Sequence, residues 1–502
     1  MKLTKTIVSI LKLKNILSHD FTISIVLSGI FLFLFGFSIN PCFSYTGIDE
    51  SIFQAMGLGM VNGKIPFVEL FDHKGVVLFS IEALGWLVYR GHVGIFILSV
   101  LFFGYTLFLW KKTAELFVSG FFAWLPSILT LQIYVLTIEG ANDSEFWSLP
   151  FISLPIYYLA ESVVRRCSLS STRCMVIGMA CAVILFIRAN NAAPVVAVCL
   201  CFFVWYLIRH KYRELLKKAL FVFMGFVLFT AVVTFLFGFI YGFEYIYDLY
   251  FGTLFFNFEY TANHIKGSLI CIPFVLSIVF SIIAIILTFN KYILLNIFVL
   301  LGFVITYATM GTARYMHYFT VSLPIYIVAF VLIFSSEQFS KYRNKYLFVV
   351  LLAFVTLWVT KIYPSVTPRI RRVAEYEPVM EKVREDMAKI PEKERDSIWN
   401  YNAENFACLF LMEVNSVQMN RVILTKHVQY CGELKDVGTI QEKEPLWIIL
   451  RTRRGEEPAS MVESHKDSLY ISQKYDEKYR FQLTSFNSNT DVVMVKRINV
   501  DR

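Results

Sequence analysis

Apolar runs long enough to cross a bilayer recur through the first 363 residues, with polar segments between them. They predict spanning helices near 21–40, 92–110, 120–138, 146–161, 174–189, 192–208, 217–241, 267–289, 292–309, 315–334 and 346–363. A further apolar stretch, 75–89, is short and carries Glu82 at its centre. It reads as an interfacial or re-entrant helix, because counting it as a span would invert every later loop. After Pro364 the pattern changes. Residues 375–390 predict an exposed helix with charge pairs, and 396–399, 421–424, 446–450 and 492–495 predict short strands between turns. The expected fold is a polytopic α-helical membrane protein of about eleven spans (1–363), followed by a small α/β or α+β domain (364–502).

Composition narrows the class. Of the 502 residues 57% are hydrophobic and 17% charged, where a soluble protein carries about a quarter charged residues. Mean hydropathy is +0.58. The net charge of +9 lies wholly in residues 1–363, which hold 25 basic and 16 acidic side chains; the remainder holds 22 of each. The surplus sits between spans and forms no single patch, which excludes a nucleic-acid partner.

Loop charge sets the orientation. With the N-terminus inside and 75–89 not spanning, 18 basic residues fall in inner segments and only 6 in outer short loops. This bias predicts a cytoplasmic N-terminus and an extracytoplasmic C-terminal domain, in a bacterial cytoplasmic membrane. The first twenty residues lead into a full span without a small-residue cleavage site and are expected to stay attached. Eleven of the sixteen acids before Pro364 fall on the outer side. Acids steer insertion weakly, so their gathering marks the outer face as the working one.

The first outer loop runs Tyr45-Thr-Gly-Ile-Asp49-Glu50, then through Gly63-Lys-Ile-Pro66-Phe to Phe71-Asp72-His73-Lys74-Gly75. Ile52, Phe53, Met56 and Met60 share a helical face, so 50–61 is expected to lie in the membrane interface. Asp49 would open it, either as a plain N-cap or as a carboxylate held by the helix dipole. The second outer loop carries Glu139, Asn142, Asp143 and Glu145, a set that suits acid–base work, polyhydroxyl binding or simple solvation. Further outer-face groups are Arg188 with Asn190 and Asn191, His264 with Lys266, and Arg314-Tyr-Met-His317-Tyr. The two arginines either snorkel at span ends or supply the fork a phosphate needs. Six of nine cysteines lie in or beside spans. Cys42 sits in the first outer loop, and a disulfide between Cys408 and Cys431 is left open. No CxxC or HExxH motif occurs.

These stretches resemble the polyprenyl-phosphate-sugar-dependent membrane glycosyltransferases of the C-type fold, in particular the protein O-mannosyltransferase and aminoarabinose-transferase group. The resemblance covers roughly residues 20–330 and rests on Asp49-Glu50, Gly63-Lys-Ile-Pro66-Phe, Phe71-Asp72-His73-Lys74-Gly75, Asn142-Asp143-Ser144-Glu145 and Arg314-Tyr-Met-His317-Tyr. It implies transfer of a sugar, with inversion, from a polyprenyl-phosphate donor to a glycan, lipid or protein acceptor, with membrane lipids around the enzyme. It further implies Asp49 as general base with Glu50 beside it, and Asn142, Asp143 and Glu145 as acceptor or metal orientation. Lys74, Arg188, Arg314 and His317 become candidate ligands of the donor phosphate. The resemblance makes no cofactor certain; a divalent cation, held by some relatives, would fall to Asp49 and Glu145. The chain departs from many relatives in having Lys74-Gly75-Val76 where they have Lys-Pro-Pro. Rival readings are a transporter of lipid-linked saccharides, a glycopolymer polymerase or ligase, and a non-enzymatic scaffold.

Overall fold

The computed structural model describes residues 19–44, 47–138, 140–255, 271–309, 315–342, 345, 352, 355–421, 439–482 and 490–498. The chain divides into two compact units. One comprises Met1–Gly36, Ile97–Leu236 and Thr261–Ser365; the other comprises Phe37–Phe96, Phe237–Tyr260 and Val366–Arg502. The expected boundary at 363/364 falls close to the last of these divisions, and the second unit also takes in two earlier stretches of chain.

The first unit is helical. Among the described residues five helical segments are long and apolar enough to cross a membrane: His92–Glu115, Gly120–Thr137, Ala189–Ile208, Tyr212–Tyr241 and Met316–Phe334. Shorter apolar helices at His19–Phe35, Ser171–Leu185, Ile272–Thr288 and Ile293–Thr309 coincide with further expected spans. Ser144–Val164 fills the place of the 146–161 expectation, and of 346–363 the described residues, 352 and 355–363, are helical. Met316–Phe334 is the central element, 89% buried, with Leu323, Ile325 and Tyr326 wholly enclosed. Phe280 packs edge-on to Phe330 at 4.7 Å and Phe303 to Tyr326 at 4.8 Å. Tyr212–Tyr241 is the opposite case: only 17% of its apolar window is buried, and Phe223, Phe235 and Phe239 are exposed. Its length and composition are those of a membrane-crossing helix, and most of its apolar surface is left exposed. It approaches Ser171–Leu185 through paired glycines. A Cβ on Gly178 would stand 2.8 Å from the Phe226 backbone nitrogen, and one on Gly225 would press on the Met175 backbone.

In the second unit two helices of the first loop, Ile48–Val61 and Val76–Val88, pack against each other through Gly57. A Cβ there would lie 2.6 Å from the backbone nitrogen of Ala83. The expectation for 50–61 was a helix with one face in the interface; instead residues Glu50 through Gly59 are all buried. The reason is enclosure from two sides, by Val76–Val88 and by the helix Asn405–Met412. At 13 residues Val76–Val88 is about 20 Å long, short of the roughly 30 Å hydrocarbon core.

The C-terminal stretch forms a four-stranded sheet of order β1-β2-β4-β3, with β1 Ile398–Asn400, β2 Trp447–Arg453, β3 Tyr475–Gln482 and β4 Thr490–Arg497. β1 pairs parallel to β2, and the other pairings are antiparallel. One face is closed by Trp399, Ile448, Leu450, Val493 and Val495 against Ile471. On the helix Asn405–Met412, Phe410 packs on Phe481 at 4.9 Å. One expectation needs correction. The helix expected at 375–390 runs Tyr363–Ala388 and is not simply exposed: Val373, Tyr376, Met380, Val383 and Met387 recur at three- and four-residue spacing and bury one stripe. Of the strand expected at 421–424, Arg421 lies in a bend and 422–424 are outside the described residues. β3 was not foreseen, because a register shift between Glu477 and Tyr479 breaks its alternation.

Candidate functional site

Each unit carries its own group of candidate residues. In the second, the helix Ile48–Val61 starts from Gly47 with extended backbone, whose N–H donates to Ser38 Oγ at 2.9 Å. Asp49 is therefore not the N-cap but the second helical residue, with Glu50 third; both carboxylates lie in the turn where orphan N–H groups favour negative charge. Their surroundings differ. Glu50 is 4% exposed and its carboxylate folds back over Gly47, where a Cβ would stand 2.8 Å from its Cδ. Asp49 is half-buried and is the member of the pair that solvent reaches.

The loop after this helix turns at Phe67, a non-glycine residue with φ of 65°. Its N–H donates to Leu70 O at 2.6 Å, the Arg421 guanidinium donates to its carbonyl, and Phe71 N–H donates to Arg421 O at 2.8 Å. The C-terminal stretch thus fixes the Pro66-Phe67 motif in a conformation that costs about 1–2 kcal/mol on its own. Beyond it Asp72, His73 and Lys74 are all buried. Lys74 Nζ lies 2.8 Å from His73 Nε2, and His73 Nδ1 lies 3.2 Å from Asp72 Oδ1. A lysine ammonium only donates, so Nε2 accepts and Nδ1–H donates to Asp72, which fixes the imidazole as a neutral tautomer. Lys74 also stands 5.3 Å over the Phe53 ring. The sequence motif gives Asp72 and His73 no role; the side-chain geometry joins them with Lys74 in a three-residue chain.

In the first unit the second-loop residues meet Arg188 and the Tyr315–Tyr318 stretch. Asp143 caps the helix Ser144–Val164, its Oδ1 accepting from Phe146 N–H at 2.6 Å. Asn142 Oδ1 accepts from Trp147 Nε1 at 2.8 Å, next to Ala141 at φ 66°. Arg188 Nη1 donates to Glu145 Oε1 at 2.5 Å, and Ser144 Oγ donates to Glu145 Oε2 at 2.9 Å. The paired side chains are 6% and 2% exposed. The guanidinium also lies 4.3 Å over the Tyr318 ring, whose edge meets the buried His317 at 4.6 Å. Asn191 closes the cluster, its amide donating to Ser144 O and Ser148 Oγ, each at 3.0 Å.

This geometry bears on a cation at Glu145. One carboxylate oxygen is committed to a guanidinium and the other to a hydroxyl, a setting that disfavours a divalent ion at Glu145. Among the described residues no three His, Cys, Asp or Glu side chains group as metal ligands. Arg314, Glu139, His264 and Lys266 lie outside the described residues, as does Cys431. Cys408 is a buried free thiol, and burial pushes its pKa well up. No protein-family model and no curated protein matches the chain.

Proposed function

We propose that the chain is an inverting glycosyltransferase that moves a sugar from a polyprenyl-phosphate donor to an acceptor hydroxyl at the outer face of a membrane. The observation that carries the reading is the division of labour in the acidic pair. Glu50 is enclosed over Gly47, whereas Asp49 stays open to solvent in the first turn of its helix. The helix terminus favours the ionised carboxylate, the form a general base needs. The acceptor oxygen attacks the anomeric carbon as Asp49 takes its proton. The bond from that carbon to the phosphate oxygen breaks, and the polyprenyl phosphate departs with the electron pair. Lys74, buried in the same unit and steadied by His73, is the cation assigned to the departing charge.

In this reading eleven spans place the N-terminus in the cytoplasm and the C-terminal sheet outside. The second unit supports it: it gathers Phe37–Phe96, Phe237–Tyr260 and Val366–Arg502, three stretches that loop charge assigns to the same side. A tag after Arg502 is expected to react with a membrane-impermeant reagent on intact cells; labelling only after permeabilisation would overturn the orientation.

The activity is tested with purified protein and a panel of polyprenyl-phosphate sugars. Asp49→Asn is expected to lower transfer by about 10²–10⁴-fold, the span of a lost general base, with an unchanged helical spectrum. Undiminished transfer by this variant would sink the mechanism.

A further inference from the structure

A cavity of about 340 Å³ lies within the second unit, lined from the 41–44 segment, the helix Ile48–Val61, the turn 90–93 and the helices bearing Arg384 and Leu409. Its volume is within the roughly 300–1,000 Å³ of small-molecule sites. Two polar atoms at its wall are unusual. Gln54 is wholly buried; its Nε2 donates to Ser38 O at 3.3 Å, which identifies Oε1 as the remaining acceptor, and that oxygen has no hydrogen-bond partner among the described residues. His92 Nδ1, on a different element, is buried and equally unpartnered. Buried polar atoms are satisfied almost without exception, so two orphans facing one cavity point to a ligand with hydroxyl groups.

The rest of the lining sharpens the chemistry. Trp86 Nε1 is used up in donating to Gln54 O at 3.0 Å, leaving its ring and that of Phe43 as apolar wall. Arg384 is held in place by Glu413 at 2.7 Å and by donating to Ser44 Oγ at 2.7 Å. Arg90 is exposed and has no ion-pair partner among the described residues. With Glu413 on the same wall offsetting Arg384, an aromatic wall, an orphan amide oxygen, an imidazole nitrogen and the Arg90 guanidinium match a sugar that carries one negative charge.

We propose that this cavity is a binding site for an anionic saccharide unit. Gln54 Oε1 accepts from a ring hydroxyl, His92 Nδ1 pairs with a second, Arg90 meets the anion, and Trp86 with Phe43 covers the apolar face of the ring. Gln54 follows Asp49 by five residues on one helix, about 7.5 Å along its axis. Resting on the transferase reading for this part alone, the saccharide held here is a unit of the acceptor glycan.

The test uses full-length protein in lipid nanodiscs, titrated with D-glucuronate, D-glucose or inorganic phosphate and followed by calorimetry. Glucuronate is expected to bind saturably, glucose about tenfold more weakly, and phosphate not at all; tenfold is the worth of one good charge-assisted hydrogen bond. Arg90→Ala, a change at an exposed side chain, is expected to cost glucuronate about tenfold and leave glucose unaffected. Gln54→Leu is expected to weaken both sugars by about tenfold. Absence of saturable sugar binding, phosphate binding as well as glucuronate, or unchanged affinity in both variants would overturn the site. Glucuronate binding by a protein that transfers no polyprenyl-linked sugar would leave the site standing and remove the transferase reading. Transfer without saccharide binding would do the reverse.

Discussion

The Glu145–Arg188 pair allows a quantitative test of how the first unit is held together. With Nη1 and Oε1 2.5 Å apart, the charge centres are separated by about 4 Å, and an effective dielectric constant of about 20 gives about 4 kcal/mol of attraction. Both side chains are almost wholly enclosed, so removing one partner leaves the other desolvated, a loss of about 3–5 kcal/mol. The two single losses are not equivalent. A carboxylate left alone can be neutralised by a proton, whereas a guanidinium cannot, so Glu145→Ala is expected to cost more than Arg188→Ala. The guanidinium's stacking on Tyr318 acts the other way by about 1 kcal/mol, which narrows the difference without reversing it. In the double variant neither charge of the pair remains. A cycle of the four proteins, unfolded by titration in mixed micelles and followed by tryptophan fluorescence, should return a coupling energy of about 3 kcal/mol. Additive single effects, with coupling below about 0.5 kcal/mol, would refute the claim that the pair is enclosed and mutually dependent.

Two further outcomes follow from the second unit. Gly57→Ala is expected to destabilise it by about 1–3 kcal/mol, because the new Cβ meets the Ala83 backbone, which cannot swing aside; an unchanged Tm would show that the two helices are not in close backbone contact. Glu394 gives a pH dependence. Burial works to raise its pKa, but hydrogen bonds from Lys496 and from Trp447 Nε1 outweigh that and hold it below the usual carboxylate value. Its contribution is thus present above the unfolded-state pKa and lost as pH falls through the folded-state value. Between about pH 5 and 3 the Tm of Glu394→Gln should fall less steeply than that of the parent protein, and parallel curves would contradict the assignment.

The positions of most helices were legible because a run of apolar residues has the same meaning wherever it occurs. His92–Glu115 and Tyr212–Tyr241 are of that kind. The chemistry was legible only as residue types. Glu145 and Arg188 are 43 positions apart, and nothing in either neighbourhood distinguishes an ion pair from two separate solvated groups. Asp49 and Glu50 are adjacent and alike in sequence; what separates them is the space above Gly47. Asp143, expected to orient an acceptor or a metal, also caps a helix, a role any Asp before an apolar run can take. Gln54 and His92 went unremarked because a single polar residue in an apolar stretch gives no signal until the wall it faces is known.

The second unit is assembled from chain segments made at very different times. Its first-loop helices are complete by Phe96, yet Cys408 and Leu411, which adjoin Ala55 and Leu70, belong to a stretch that begins only at Val366. About 270 residues separate those two points. At roughly 5–20 residues per second the ribosome needs about 15–55 s to supply the missing half. During that interval the apolar flank of Ile48–Val61 has no protein partner, and a nascent chain halted anywhere before residue 366 presents that flank to whatever chaperone or lipid is at hand. Deleting the C-terminal stretch would make that transient exposure permanent.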